Sequence, residues 1–305
     1  MNTGGDNAGK FRSGYVALVG RPNVGKSTLL NRLLGQKISI TSSKPQTTRH
    51  RILGIKTQPG AWQIVYVDTP GLHKRGGSAL NRYLNRAAAA ILDDVDVIVF
   101  LIEALRWTEE DEMVLERLAS VSAPLILLVN KVDKVKDKRQ LLPFLDEMRH
   151  KRGFAAIVPA SARQGKNLKV LEQEILSRLP EGPALFPEDM ITDRSQRFLA
   201  AEIIREKLMR MLGQEVPYHL TVEIERYEET SRLVRIGAVI WVMRPNQKAI
   251  VIGKGGQRLK EVGIQARREL EVATGRKVHL ELWVKVKAGW ADDERALRSL
   301  GYADD

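Results

Sequence analysis

The chain has 305 residues, of which 43% are hydrophobic and 28% charged, and its formal net charge is +12. At roughly 150 residues per domain this suggests two domains, and the apolar content is that of a folded chain, not a disordered one. The absence of cysteine excludes disulfides, thiol catalysis and Cys-ligated metal, and the apolar runs are too short for a membrane-spanning helix.

In chain order, residues 1–14 are small and polar, lack the apolar stretch of a signal peptide, and are expected to form a mobile tail ahead of a cytoplasmic protein. Residues 15–180 alternate β-rich and helical patterns. Strands are expected near 15–19, 50–58, 62–67, 95–102, 124–129 and 155–159, with helices beginning near 26, 80, 108, 137 and 166. That alternation predicts an α/β domain with a mostly parallel sheet. Residues 181–192, rich in proline, read as a linker. Residues 193–305 change order: helix 193–212, strands 216–228 and 232–243, two helices, strand 277–287 and a last helix 291–300, an α+β module. Local propensity makes Ala249–Ile252 a strand, in conflict with the helical alternative taken up below.

The first motif is Gly20-Arg21-Pro22-Asn23-Val24-Gly25-Lys26-Ser27, followed by Thr28, between an apolar strand and a helical pattern. It fits G-x-x-x-x-G-K-[ST], the P-loop. Its glycines let backbone amides close on a β-phosphate at a helix N-terminus, Lys26 reaches the β/γ-oxygens, and the Ser27 hydroxyl ligates Mg²⁺. Next, Asp68-Thr69-Pro70-Gly71 ends a strand pattern. A carboxylate there can hold the same Mg²⁺ through water, and Gly71 frees an amide for a γ-phosphate.

Asn130-Lys131-Val132-Asp133 follows another strand. The Asp133 carboxylate can accept from guanine N1–H and the 2-amino group, two donors that adenine lacks. Asn130 would bond the base edge or the neighbouring loop, and the Lys131 stem would cover the ring. Ser161-Ala162, after a later strand, is where a backbone amide could meet the guanine O6. GTP and GDP are therefore the expected ligands. His73 lies in a switch-like His-Lys-Arg-Gly-Gly stretch and is not expected to act as a catalytic base.

In the second half, residues 244–277 hold nine Lys/Arg against three Glu, a basic patch suited to an anionic partner or to a solvated helix face. Within it, Gly253-Lys254-Gly255-Gly256 is a G-x-x-G followed by Arg258 and Lys260. Such a turn brings amides to a sugar–phosphate backbone, which the three basic side chains would neutralise. Trp241, Trp283 and Trp290 read as core or domain-edge packing, and Glu223, Glu225, Glu228 and Glu229 as a solvated strand edge.

The four nucleotide motifs, in this order and spacing, resemble those of the translation-factor-like GTPases along the whole first domain. That resemblance implies a switch threonine that closes on Mg²⁺ and the γ-phosphate, for which Thr47 and Thr48 are candidates and Thr48 is favoured. Lys26, Thr48, Asp68, Gly71 and Asn23 are then the expected catalytic set, with Ser27, Thr48 and Asp68 on the metal. Two features depart from many small GTPases. Leu72 stands where a glutamine would orient the attacking water. Asn23 matches an asparagine that in related GTPases helps hold K⁺ against the phosphates, or else it only stabilises the loop backbone.

The second module resembles a type II KH domain, which makes 246–252 a helix and implies a groove for about four unpaired nucleotides. Ile250, Ile252, Leu259, Val262 and Ile264 are candidate floor residues, about half of them expected to touch only protein. One such GTPase domain followed by one such KH domain resembles the Era family of bacterial ribosome-assembly GTPases. The resemblance implies a GTP-switched chaperone that binds the small-subunit rRNA 3′ end and the immature 30S subunit, with peripheral inner-membrane association. A monomer is expected. Two rival readings are a constitutive RNA-binding scaffold in which nucleotide only stabilises the fold, and a GTP-gated RNA-modifying enzyme, for which the second domain offers neither a cysteine nor a cofactor loop.

Overall fold

The computed structural model describes residues 10–42, 44, 47–69, 79–80, 92, 94–213, 216, 220–293, 295 and 297. Among these, one compact unit comprises 10–37, 51–69 and 92–193, and another comprises 38–50, 79–80 and 194–297.

In the first unit the chain runs β1 (Arg12–Val19), α1 (Lys26–Leu34), β2 (Ile52–Gln58), β3 (Trp62–Asp68), β4 (Val97–Glu103), α2 (Glu109–Arg117), β5 (Leu125–Asn130), α3 (Leu141–Lys151), β6 (Ala156–Pro159) and α4 (Leu168–Leu176). The strand order is β2-β3-β1-β4-β5-β6, with β2 antiparallel to β3 and the other pairs parallel. The unbroken apolar runs of β4 and β5 are explained by burial: both are central strands, and all their hydrophobic residues lie in the core. The order reverses on either side of β1, which puts the loop after β1 at the crevice where open α/β sheets bind ligands.

Two boundaries differ from the sequence reading. β1 begins at Arg12, inside the segment expected as a tail, and residues 181–193 pack on the first unit as part of it. Backbone polar groups of that segment find partners there. The Gln63 carboxamide accepts from the amides of Leu185 at 2.7 Å and Phe186 at 2.9 Å, and the Ile55 amide donates to Ile191 O at 2.8 Å.

The second unit contains α5 (Gln196–Met211), β7 (Leu220–Glu229), β8 (Leu233–Val242), α6 (Pro245–Ile252), α7 (Gln257–Thr274) and β9 (Lys277–Val286). Its sheet has the order β7-β8-β9, with β7 antiparallel and β9 parallel to β8. Ile204 and Leu208 of α5, Val251 of α6 and Val262, Ala266 and Leu270 of α7 share one core with Ile236, Ala238 and Ile240 of β8.

The conflict at Ala249–Ile252 resolves as helix. Pro245 sits in the first turn, Gln247 Oε1 accepts from the amides of Met243 at 2.9 Å and Arg244 at 3.1 Å, and Val251 is buried, so capping and packing override β propensity. Trp290 is buried with Leu80 and Leu297, whereas Trp283 is 44% exposed and is not a core residue. The expected helices near 80 and over 291–300 fall largely outside the described residues.

Residues 38–50 belong to this second unit, where α5 holds them through side chains. Glu206, fully buried, accepts from the Thr41 amide at 2.8 Å, and Arg210 donates to Thr41 O at 3.1 Å. Arg205 donates to Thr47 O, Lys44 to Leu212 O and Arg49 to Leu220 O, the last at 2.8 Å.

Candidate nucleotide site and nucleic-acid cleft

The phosphate loop occupies residues 20–25, between β1 and α1. Gly25, with φ +111°, is the N-cap of α1, and no side chain caps that helix. By contrast Thr108 and Asp111 form a capping box on α2, and Ser195 caps α5. No side chain caps this helix N-terminus, whose partial positive charge suits an anion. Lys26 is buried and donates to Gly20 O at 2.8 Å and Arg21 O at 3.2 Å, wrapping its own loop. Burial lowers its pKa to about 8; Asp68 opposes that shift and Arg21 adds to it.

Ser27 and Asp68 meet directly, with Ser27 Oγ donating to Asp68 Oδ2 at 2.8 Å. Asp68 is the last residue of β3 and fully buried. A neutral and an anionic oxygen ligand side by side at the phosphate loop fit Mg²⁺, which binds few protein oxygens and keeps phosphate and water for the rest. Thr69 donates to Leu18 O at 3.0 Å, tying this strand end to β1. Pro70, Gly71, Leu72 and His73 lie outside the described residues. Thr48 is buried in the second unit, where Thr47 spends its hydroxyl on Lys44 O at 2.6 Å.

At the other end of the site three loops converge. Asn130 Nδ2 donates to Val24 O at 2.8 Å, and Asn130 Oδ1 accepts from the Ala162 amide at 2.9 Å. Asn130 therefore clips the phosphate loop to the Ser161-Ala162 loop; of the two partners open to it in the sequence, it takes the neighbouring loops. Ser161 Oγ donates to Asp133 Oδ1 at 2.5 Å, which orients the carboxylate. Lys131, at φ +64°, donates to Glu103 Oε2 at 2.8 Å. Pro22 and Thr28 are part-buried in the same loop and helix, while Asn23 is exposed at φ +64°.

Glu103 and Asp111 belong to no motif and were missed in the sequence. The signals available were a lone acid ending the apolar run Val97–Ile102 and a T-x-x-D spacing from Thr108.

In the second unit, a cleft of about 440 Å³ is lined by Gly256, Leu259, Lys260, Ile264 and Arg267 of the G-x-x-G and α7, and by Leu280 and Leu282 of β9. It has an apolar floor, two cationic side chains at its edge and a glycine turn at one end. Of the expected floor residues, Leu259 and Ile264 line it. Val262 is fully buried in the core, and Ile252, part-buried against that core, does not line the cleft. Ile250 is 40% exposed and its carbonyl accepts from Arg258, which thereby folds back on α6. Lys254 is exposed within the turn Gly253–Gly256. Arg267, Leu280 and Leu282 were not singled out in the sequence, although Lys260, Ile264 and Arg267 follow the one-face spacing of a helix.

Among the described residues no helix is long and apolar enough to cross a membrane, and no group of three or more His, Asp or Glu forms a metal-binding cluster.

Residues 15–131 match the model of the 50S ribosome-binding GTPase family, and residues 215–291 match the KH domain. The chain is 60% identical over 293 residues to GTPase Era of Pseudomonas aeruginosa strain UCBPP-PA14, covering 96% of both chains. It is 59% identical to GTPase Era of Pseudomonas savastanoi pv. phaseolicola, covering 96% of this chain and 97% of that one. Its fold matches that of Era solved with MgGDPNP and nucleotides 1506–1542 of 16S ribosomal RNA, with TM-score 0.93 and 46% identity, over 96% of this chain and 100% of that one. A variant of Aquifex aeolicus Era bound to GDP.AlF4- matches with the same TM-score, identity and coverage. A P-loop nucleotide site and a KH cleft in one chain, in the company of these relatives, lead to one conclusion: the chain belongs to the Era family of GTPases.

Proposed function

We propose that this chain binds and hydrolyses GTP as a switch for RNA binding, holding the 3′ end of 16S rRNA and the immature 30S subunit through the KH cleft during small-subunit assembly. The observation that carries this reading is the pairing of the uncapped α1 N-terminus beside Ser27 and Asp68 with a basic, apolar-floored cleft on the same chain.

Ser27 and Asp68, joined by Thr48 in the GTP state, would hold Mg²⁺, which when bound neutralises charge on the β- and γ-phosphates. The chain's own residues do the rest. The loop amides of 20–25 and Lys26 cradle the phosphates, Gly71 offers an amide to the γ-phosphate, and Asp133 reads guanine. With Leu72 unable to orient water, backbone groups or another element would take that role, and Asn23 would help hold K⁺ against the phosphates. In the cleft, Gly253–Gly256 with Lys254, Arg258 and Lys260 would follow the RNA backbone.

Rearrangement of 38–50 on GTP binding would alter contacts that this segment makes on α5 of the RNA-binding unit and so transmit nucleotide state to RNA affinity. The protein is expected to work as a cytoplasmic monomer, with its basic charge supporting peripheral association with the inner membrane.

The test is binding of a 16S rRNA 3′-end oligonucleotide at one fixed salt, with a GTP analogue, with GDP and without nucleotide. Preferential binding in the GTP form supports a switched chaperone. Equal affinity in all three states would replace it with a constitutive RNA-binding scaffold.

A further inference from the structure

The register of the first unit's sheet brings one carboxylate between two parts of the nucleotide site. Glu103, the last residue of β4, lies opposite Asn130, the last residue of β5, and the Ala104 amide donates to Asn130 O at 2.8 Å. Lys131 follows directly, and its ammonium reaches Glu103 Oε2 at 2.8 Å. On its other side β4 pairs with β1, Phe100 opposite Val19, so the phosphate loop also begins beside the end of β4. From that loop Arg21 places Nη2 3.5 Å from the same oxygen, Glu103 Oε2, while its Nε donates to Asp111 Oδ2 at 3.1 Å.

Arg21 is nearly buried, and Asp111, fully buried, is fixed in turn by the Thr108 amide at 3.0 Å and hydroxyl at 2.7 Å. Burial pushes the Glu103 carboxyl up, but the Lys131 hydrogen bond, with the charges of Lys131, Lys134 and Arg21, outweighs it and keeps the group below its ordinary value. One ionised carboxylate thus faces two cations, one from each loop.

We propose that Glu103 is a positioning residue that couples guanine recognition to the phosphate cradle, by holding Lys131 over the base and Arg21 in the phosphate loop at the same oxygen. This rests on the reading that residues 130–133 receive guanine. Without Glu103, Lys131 has no partner to order its stem, and the charge link between the phosphate loop and the base loop is broken. Arg21 would keep Asp111.

The experiment measures affinities of guanosine and GDP for the full chain, for Glu103→Gln, for Lys131→Met and for the double variant. Both side chains are about four-fifths buried and at the rim of the site, and thermal melts establish that each variant is folded. Each single change should weaken guanosine about tenfold, the worth of one charge-assisted contact. The double variant should weaken it no further, because both changes break the same link. Glu103→Gln should cost GDP several-fold more than guanosine, through Arg21, whereas Lys131→Met should cost both equally. In turnover, Glu103→Gln should raise KM for GTP more than it lowers kcat. Multiplying single effects on guanosine would sever Glu103 from Lys131, and an equal cost for guanosine and GDP would sever it from Arg21; either result overturns the proposal. If the unaltered protein failed to prefer GDP over ADP, the guanine reading itself would fall instead.

Discussion

Asn130 and Val24, 106 residues apart, are joined by a 2.8 Å hydrogen bond from the asparagine amide to the valine carbonyl. Gly25, next to Val24, has φ +111°, and a Cβ built on it would lie 2.4 Å from Asn130 Nδ2. The phosphate loop can therefore close against Asn130 only if residue 25 has no side chain. Gly25→Ala should combine left-handed strain with displacement of the clip, about 2–4 kcal/mol in all. Asn130→Ala should cost about 2–3 kcal/mol by leaving Val24 O and the Ala162 amide buried without that partner. Urea unfolding with and without GDP measures both. A variant as stable as the parent that bound GDP equally well would contradict the role of the clip.

Lys26 gives nucleotide binding a pH dependence of defined sign. Its pKa of about 8 lies below the unfolded value of 10.5. An arriving phosphate favours the charged form, so above pH 8 binding takes up a proton, and affinity should fall by up to about tenfold per pH unit. Below pH 8 the lysine is charged before and after binding, and affinity should be flat with respect to this group. The nucleotide-free protein should show the opposite trend in stability. Between pH 8 and 10.5 its unfolded state binds more protons, so stability rises with pH there. Calorimetric GDP titrations in buffers of differing ionisation heat would count the proton taken up.

His50 controls the acid side. Burial lowers its pKa to about 4; Glu202 opposes this, and Arg205, Arg194 and Arg49 reinforce it. The ring packs edge-on against Phe198 at 5.2 Å. Because the folded value lies below the unfolded 6.5, stability from neutral His50 is complete above pH 6.5 and is lost as pH falls toward 4, by about 2–3 kcal/mol. His50→Gln should flatten that window in denaturation curves taken from pH 7 to 4. An unchanged slope would assign the loss to other groups.

The cleft on α7 predicts two separable RNA defects. Arg267→Glu should weaken binding of a 16S 3′-end oligonucleotide about tenfold or more and reduce the salt slope, by about 1 for each phosphate that is no longer neutralised. Gly263 of α7 also lines the cleft, and Gly263→Leu acts by volume. A Cβ there would already lie 3.6 Å from Leu282 Cδ1, so the longer side chain fills the cleft. It should abolish binding at all salt concentrations while leaving GTP hydrolysis without RNA intact. Filter binding across a salt series distinguishes the two.

Asn23, exposed at φ +64° in the phosphate loop, is the expected K⁺ partner. Replacing K⁺ by Na⁺ should slow hydrolysis about tenfold or more, the scale of losing one preorganised charge. Asn23→Ala should erase the difference between the salts. Equal rates of the parent protein in both salts would leave Asn23 a backbone role only.

Much of this protein was readable along the chain, because its decisive elements are local. The P-loop needs glycines at fixed offsets before a helix, central parallel strands need unbroken apolar runs, and the G-x-x-G stands between an apolar segment and a basic helical pattern. Those features depend on neighbouring residues and so survive in one dimension. What only the tertiary structure decided depends on pairing between distant segments. Ala249–Ile252 has strand propensity but is helical, since capping by Gln247 and burial of Val251 outweigh a few tenths of a kcal/mol per residue. Residues 38–50 lie within the first sequence domain yet pack on α5, because the acceptor for the Thr41 amide is Glu206, 165 residues away. Glu103 ends an ordinary buried strand in the sequence. It becomes the meeting point of Arg21 and Lys131 only because β-sheet register places β1, β4 and β5 side by side, and hydrophobic periodicity says which residues are buried but not which strands are neighbours.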